Sequence, residues 1–450
     1  MYDKQVLVLS VMTLPLLRLI TLAHLTTTTV IAMMMMRRTC FLHQILLVSL
    51  AVTSTSFTFD TRVNVHFIST NLMMRTQSLS AHLIMRATPQ RLDENVFGIL
   101  YVNDRCINCA ACSNFAPTIF ERGTKNAYKH VVYKQPTIQN SRELEEARAA
   151  LAACPVAAIR VENKVQGETE AELKRALSIR PINGEAVATF PRPIVSEIDI
   201  GAYYLGHHND ASFGAIPYLV CGMSPDGRDI SVMVDVPRFS PSSVRAVKSL
   251  SPSGPDYLFL THVDDTADHN KWSNEFPNMQ RIFHSGDLGR HNWIGDKTLE
   301  KVEILLRGKV DDDVEELMSW DINGNRRDKI RPMNRGEFVI LHTPGHSPGS
   351  ISLLFRPKLD LVRIHGILFT GDTYSWTTRD DGHMSGFPRY GNNLNQQAKT
   401  LQRLGSLSRM WDIVAPGHGH LRSYLKFNEE DAPVIKAEDM RIAVSELLSY

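Results

Sequence analysis

Acidic residues are nearly missing from the first part of the chain: from Lys4 to Arg91 the single carboxylate is Asp60. A stretch this poor in acids, with many Ser and Thr and scattered Arg, is targeting composition rather than core. Strong net charge is missing too, at +1 over 450 residues. There is no basic field and so no reason to expect nucleic acid as a partner. Cysteine is scarce. Of six, Cys40 lies in the acid-poor stretch, Cys221 reads as a buried small residue in an apolar run, and the other four form one pattern. A disulfide framework is not the natural reading of that distribution. No Ser or Cys nucleophile motif occurs, nor any internal repeat or, beyond the N-terminal stretch, low-complexity segment. What is present, 43% hydrophobic and 22% charged residues, is globular, and the length allows two or three domains.

Two apolar runs stand near the start. Val6 to Leu25 is interrupted by Pro15 and Arg18 and makes a poor spanning helix. Phe41 to Val52 follows Arg37-Arg38 and precedes the small residues Ser54 and Ser56, the layout of a secretory signal cleaved near Ser56-Phe57. Met33 to Met36 stand just before it, so the true start is expected there. Thr61 to Leu92 carries Arg62, Arg75, Arg86 and Arg91 and no acid, as a transit peptide does. A signal followed by a transit peptide, with Phe57 at the junction, resembles the bipartite plastid presequence of algae with secondary plastids. A plain secretory signal and mitochondrial import are the alternatives. Residues 1–92 are therefore expected to be presequence, disordered or removed, leaving no stable membrane span in the mature protein.

The next segment, 93–164, holds the patterned cysteines. Cys106, Cys109 and Cys112 recur at three-residue spacing, and Cys154 is followed at once by Pro155. One loop with three thiols can wrap a compact inorganic cluster while a distant Cys-Pro supplies the fourth ligand, the wiring of an iron–sulfur centre. Zinc ribbons usually pair two C-x2-C knuckles instead. Phe97 to Val102, Ala127 to Tyr133 and Ala158 to Glu162 read as strands. Asn140 with Glu143 three residues on predicts a capped helix running to about Ala153. The segment resembles single-cluster bacterial-type ferredoxins, including Asn103-Asp104 before the first Cys and Ala116-Pro117-Thr118-Ile119-Phe120 after the third. That resemblance implies one [4Fe–4S] cluster, used for electron transfer or kept as a structural or regulatory group. A redox partner protein would be expected if it carries current.

A polar linker, 165–190, follows, with Glu168 to Leu177 helical and Pro181 and Gly184 breaking it. Strands are then expected at Ile198 to Leu205, Ala215 to Cys221, Ile230 to Val236 and Tyr257 to Thr261, with a helix at Pro241 to Leu250 capped by Ser240. Leu299 to Leu306 reads as an amphipathic helix, and the acidic run Asp311-Asp312-Asp313 with Glu315-Glu316 as a solvated surface. Four apolar strands each run into ligand-type side chains: His262, Asp264, Asp268 and His269 after the first, then His346 in Thr343-Pro344-Gly345-His346, Asp372 in Gly371-Asp372, and His418 in Gly417-His418. Four such strand ends converge on metal-site chemistry.

Together these segments resemble the metallo-β-lactamase fold superfamily over about residues 190–425. The resemblance implies an α/β domain, 191–450, built as a four-layer αββα sandwich behind an α+β ferredoxin-like domain. It implies one metal at His262 and His346, a second at Asp268, His269 and His418, and Asp372 between them. Asp268 and Asp372 would then be catalytic, with His342 and His420 outside the ligand set. The usual H-x-H-x-D-H is altered here. Asp264 stands where the second His is usual, and Asp-His arrives two residues late. Asp264 or Asp265 could replace the missing imidazole, or neither does, leaving the first site short of a ligand. One or two divalent ions are expected, zinc by the family's habit, iron or manganese by the harder carboxylate donor. The flavodiiron branch also carries a carboxylate there, but the chain has no space for its flavin domain. Three functions follow: hydrolysis of a small thioester, lactone or phosphoester by a metal-activated water, a di-iron redox reaction fed by the fused cluster, and a non-catalytic redox sensor. Trp320, Tyr374 and Trp376 are as consistent with core as with a pocket wall.

Overall fold

The computed structural model describes residues 88–125, 128–179, 189–308, 316–330, 334–359 and 364–450. The expected presequence up to residue 87, with Cys40, and the acidic run 311–315 lie outside these residues. Thr88–Tyr450 is one compact unit, so the cysteine module and the large domain, distinct along the sequence, pack as one body. Residues 88–92, grouped with the presequence on composition, belong to this unit. Leu92 is buried in the small module's core and Arg91 bridges Asn103. Among the described residues no helix is long and apolar enough to cross a membrane.

In the small module Leu100–Val102 pairs antiparallel with Ile159–Val161, and Phe120–Arg122 with His130–Val132. The helix Ser141–Ala153 begins where the Asn140 side chain accepts from the Glu143 amide at 3.2 Å. The Glu143 carboxylate does not complete a capping box; it turns to Lys134 and the Thr137 amide. Ala147 and Ala150 face the core, small enough to let the helix lie close against the strands. Cys154 leaves helical geometry, and Pro155 cannot continue it. A short helix, Gly167–Ala176, occupies the linker as expected.

The large domain is two seven-stranded sheets packed face to face. In the first, Tyr257–Phe259 lies between parallel neighbours Asp229–Val234 and Gln280–His284, and the far half is an antiparallel meander ending at Arg192–Pro193. In the second, Phe338–His342, Ile351–Phe355 and Ile367–Gly371 run antiparallel in order, and Ile413–Pro416 joins parallel to the last. The strands alternate with period two, but both faces are apolar because both are covered. Phe338 and Ile340 meet Val220, Val232 and Phe259 between the sheets. Val339 and Leu341 face outward beneath the helices Leu394–Ser406 and Asp431–Ser449. On the other side Leu219, Met233 and Leu258 meet Val247 of the helix Pro241–Leu250 and Trp272 of the helix His269–Glu275. The layers are helix, sheet, sheet, helix, the αββα sandwich expected.

Some local expectations fail. Leu299 to Leu306 is not a helix: a tight 3-10 turn, Lys297–Lys301, leads into an edge strand, Ile304–Leu306, parallel to Gln280–His284. A short apolar run cannot be told from a strand by its period, and here an open sheet edge takes it. Cys221 is only half-buried. Trp320 belongs to the core between the sheets, and Tyr374 to the core outside the second sheet.

The small module docks on the large domain through Phe115, whose ring meets Phe190 at 5.0 Å, Tyr204 at 5.2 Å and His208 at 5.9 Å. Polar links fix the register: Asn114 Nδ2 donates to the Gly419 carbonyl at 2.7 Å, Arg238 Nη1 to Pro155 at 3.0 Å, and the His208 amide to Ala153 at 3.2 Å. The helix leading to Cys154 depends on its cap. Asn140→Ala is expected to cost about 1 kcal/mol, read as a lower urea midpoint with an unchanged denaturant slope.

Candidate metal centre

Cys106, Cys109, Cys112 and Cys154 line one small cavity closed by Val102, Ile107, Pro155 and Ile159. Asn108 and Ala110, at φ 62° and 63°, curl the loop between the first three. The Asn108 amide points at Cys106 Sγ (3.4 Å) and the Ala158 amide at Cys154 Sγ (3.2 Å). Burial pushes the Cys109 thiol up to about 12, with Cys154 and Cys106 adding repulsion, and lifts Cys112 well above its ordinary value. Buried sulfurs that resist ionising alone, yet receive backbone N–H groups, fit a cluster whose irons supply the balancing charge.

The second centre forms at one edge of the sandwich. Past Tyr257–Phe259 the chain reaches His262 and turns through a 3-10 segment, Val263–Asp265. His346 follows the strand Phe338–His342, Asp372 ends Ile367–Gly371, and His418 ends Ile413–Pro416. Asp264 Oδ2 lies 3.6 Å from both His262 Nε2 and His346 Nε2, and Asp372 Oδ2 lies 3.9 and 3.7 Å from the same two atoms. Asp265 Oδ2 is 3.8 Å from His262 Nδ1 and 4.0 Å from His418 Nδ1. His418 Nδ1 also meets Asp372 Oδ1 at 2.8 Å. His262 Nε2, both nitrogens of His346, both oxygens of Asp265 and His418 Nε2 are buried without a hydrogen-bond partner. Donors gathered at 3.6–4.0 Å and left unsatisfied fit a bound cation.

Asp268 and His269, expected among the ligands, are turned away. Asp268 sits at φ 66°, which swings the chain out of the site. Its carboxylate accepts from Asn209 Nδ2 and the Phe239 amide and pairs with Lys271. His269 starts the next helix, where Asp296 and Thr298 meet its Nε2 and Arg281 its Nδ1. Asp265 takes the place inside instead. His342 is buried, bonds the Pro348 carbonyl and stacks on His284 at 4.1 Å, contacts that keep it away from the ligand set. His420 lines the cavity beside His418.

Several supporting groups carry no motif. Asp287, fully buried, accepts from the Val263 amide, Ser347 Oγ and the Gly349 amide, tying the loops of His262 and His346 together. Asp235 accepts from the amide and hydroxyl of Thr261, and Thr261 Oγ1 meets His262 Nδ1 at 3.0 Å, which aims Nε2 inward. Trp293 Nε1 donates to Asp264 Oδ1 at 2.5 Å. Gly417 leaves room for two carboxylates: a Cβ there would come within 2.9 Å of Asp265 and 3.1 Å of Asp372. His208, buried and with Nε2 unpartnered, also lies outside every motif.

Charge explains the titration pattern. Burial pushes the Asp265 carboxyl well up, opposed by His262 and His418 and reinforced by Asp372 and Asp235. Burial would raise Asp264 also, but His262 and His346 hold it well below the carboxylate range. Burial would lower His418, yet Asp372 and Asp265 lift it to about 10. Negative potential that holds protons on imidazoles serves a metal cation equally well.

These groups open into a cavity of about 730 Å³. Its walls come from both modules: Ile107, Asn108, Cys109, Ala110 and Arg122 on one side, Asp264, His346, Asp372 and His418 on the other, with Trp293 and Arg379 nearby.

The family described as the 4Fe-4S single cluster domain of ferredoxin I matches residues 102–161, which include all four patterned cysteines. No curated protein matches the chain. Solved structures similar to it include the DIM-1 metallo-beta-lactamase, at 14% identity over 49% of this chain and 93% of that one, with a TM-score of 0.29. The metallo-beta-lactamase FIM-1 from Pseudomonas aeruginosa, in its mono-zinc form, is 12% identical over 57% and 96%, with a TM-score of 0.31. A quorum-quenching N-acyl homoserine lactone lactonase is 18% identical over 46% and 79%, also at 0.31. The chain thus carries a segment that matches the single-cluster 4Fe-4S ferredoxin domain, joined to an αββα domain.

Proposed function

We propose that the chain is a metal-dependent oxidoreductase: Cys106, Cys109, Cys112 and Cys154 would hold a cluster that supplies single electrons, and a carboxylate-rich set of residues would hold metal for reducing or activating a small molecule, such as dioxygen, in the shared cavity. The observation that carries this reading is the cavity wall, where Cys109 and its neighbours face Asp264, Asp372, His346 and His418. A cluster kept only for stability has no need to border the reacting space. His262, Asp264 and His346 would hold one metal, Asp265 and His418 a second, with Asp372 shared. Three carboxylates among six donors favour iron or manganese over zinc. When bound, such ions accept electrons and polarise the substrate.

The chain's own residues prepare that step. Trp293 fixes Asp264 by holding one oxygen, leaving the other toward His262 and His346. The Asn114 link to the Gly419 carbonyl joins the residue two past Cys112 to the residue after His418, a short and rigid path for an electron. Arg122 and Arg379 both line the cavity, and burial, then Arg379, pull the Arg122 guanidinium below its ordinary value. Two cations on one cavity wall suit a substrate or product carrying negative charge.

Hydrolysis with zinc in the same donors is the second reading, and one observation favours it. Asp372 stands between the two sides: Oδ2 faces His262 and His346, and both of its oxygens meet His418 Nδ1, at 2.8 and 3.0 Å, so it would be the carboxylate common to two metals that activate a water.

Metal content separates the two. Purified anaerobically, the protein is expected to hold about four cluster irons and about two more, and a Cys106→Ser variant to keep only the latter. Zinc in place of the non-cluster iron would sink the redox reading. Asp264→His is expected to raise the zinc-to-iron ratio retained in metal competition, and an unchanged ratio would remove Asp264 from the ligand set. Trp293→Phe should weaken metal binding about tenfold or more, measured by chelator competition with the cluster absorbance unchanged.

A further inference from the structure

The Asp265 side of the metal centre has fewer donors than its neighbour. Asp265, Asp372 and His418 are three groups, against His262, Asp264, His346 and the shared Asp372 on the other side, fewer than the octahedral set that manganese-type ions take, and His269 is bound elsewhere, to Asp296, Thr298 and Arg281. We propose that His208 supplies a further donor, so that the second metal position is closed by a residue whose orientation is set by the cluster-binding module. The inference rests on the metal centre proposed above.

His208 has the form of a prepared ligand. Its side chain is 0% exposed, and Nδ1 lies 2.8 Å from the Gly214 carbonyl, which can only accept. The ring proton is therefore on Nδ1 and the Nε2 lone pair is free, the arrangement in which metal-binding imidazoles are usually held. Nε2 has no hydrogen-bond partner.

Its loop is fastened to both loops that carry ligands. The Ile216 amide donates to the Gly417 carbonyl at 2.7 Å, one residue from His418, and the Ala267 amide to Ser212 Oγ at 3.2 Å, two residues from Asp265. His418 is close enough for its charge to act on the His208 ring. The same loop touches the cluster module. Gly214, whose carbonyl orients His208, has no room for a side chain: a Cβ there would lie 2.6 Å from Cys109 Cβ and 3.0 Å from its sulfur. The His208 amide donates to Ala153, the residue before Cys154. Assembly of the cluster thereby orders the ring that completes the metal position, and one chain of contacts, Cys109 to Gly214 to His208, joins the two centres.

Cobalt(II) alone tests this. It is titrated into the full chain with its cluster assembled and the other metal removed by chelator, and binding is read from the visible ligand-field bands. The wild type is expected to take up about two equivalents. In His208→Ala the first equivalent should bind as before and the second at least about tenfold more weakly. In His208→Gly, free imidazole should restore the second equivalent, an effect that a packing role does not produce. Equal binding by wild type and His208→Ala overturns the inference and leaves the metal centre standing. Loss of both equivalents without imidazole rescue also overturns it. A wild type that binds no cobalt overturns the inference together with the reading beneath it.

Discussion

Asp265 is a carboxylate with neither oxygen hydrogen-bonded and no exposed surface, held 3.8 Å from one imidazole and 4.0 Å from another. Moving such a group out of water costs several kcal/mol even after relaxation, and those distances are too long for hydrogen bonds to return it. The surroundings make the cost sustainable by denying every cheaper arrangement. Asp287 pins the loops of His262 and His346 to one another, Asp235 and Thr261 fix the His262 ring, and Gly417 admits the two carboxylates side by side. The loops cannot relax without breaking buried hydrogen bonds, so the donors stay converged. A bound cation would satisfy them without rearrangement.

This constraint also explains which parts were legible in the sequence. Strand ends were readable because apolar runs with period two stop where Gly, Pro and polar residues begin, and His262, His346, Asp372 and His418 occur there. The helix caps at Asn140 and Ser240 were readable because capping is local. The choice between Asp265 and Asp268 was not. Both follow His262 in an irregular segment, and the turn Val263–Asp265 with the positive φ at Asp268 decides which carboxylate faces inward. Residue spacing on a loop does not encode direction. Asp287, Asp235, Trp293 and His208 were invisible for a further reason: each is an ordinary residue type outside any motif, and only tertiary packing brings it to the site. The strand at Ile304–Leu306 shows the same rule in the fold, since a free sheet edge outweighed local pattern.

The linker hid the docking of the two modules, and docking changes what the cavity is. Phe115, three residues past Cys112, inserts among Phe190, Tyr204 and His208, so the hydrophobic contact that joins the modules is part of the segment that binds the cluster. A ferredoxin tethered by a flexible linker raises only the frequency of encounter. Here the cluster loop is itself a wall, and its distance to the metal centre is set by packed rings and by the Asn114 bond rather than by linker statistics.

A wall of this kind also lowers the local dielectric. Ile107 and Ala110 line the same cavity as Asp264 and Asp372, and interactions between charges strengthen where apolar groups take the place of water. A change in the charge of a cluster held there by one electron would be felt across the cavity by the carboxylates and by Arg122, on which Cys106 and Cys112 both act. On the reading proposed above, electrostatic coupling of the two sites would follow from their shared wall, a physical reason to keep the modules fused and docked.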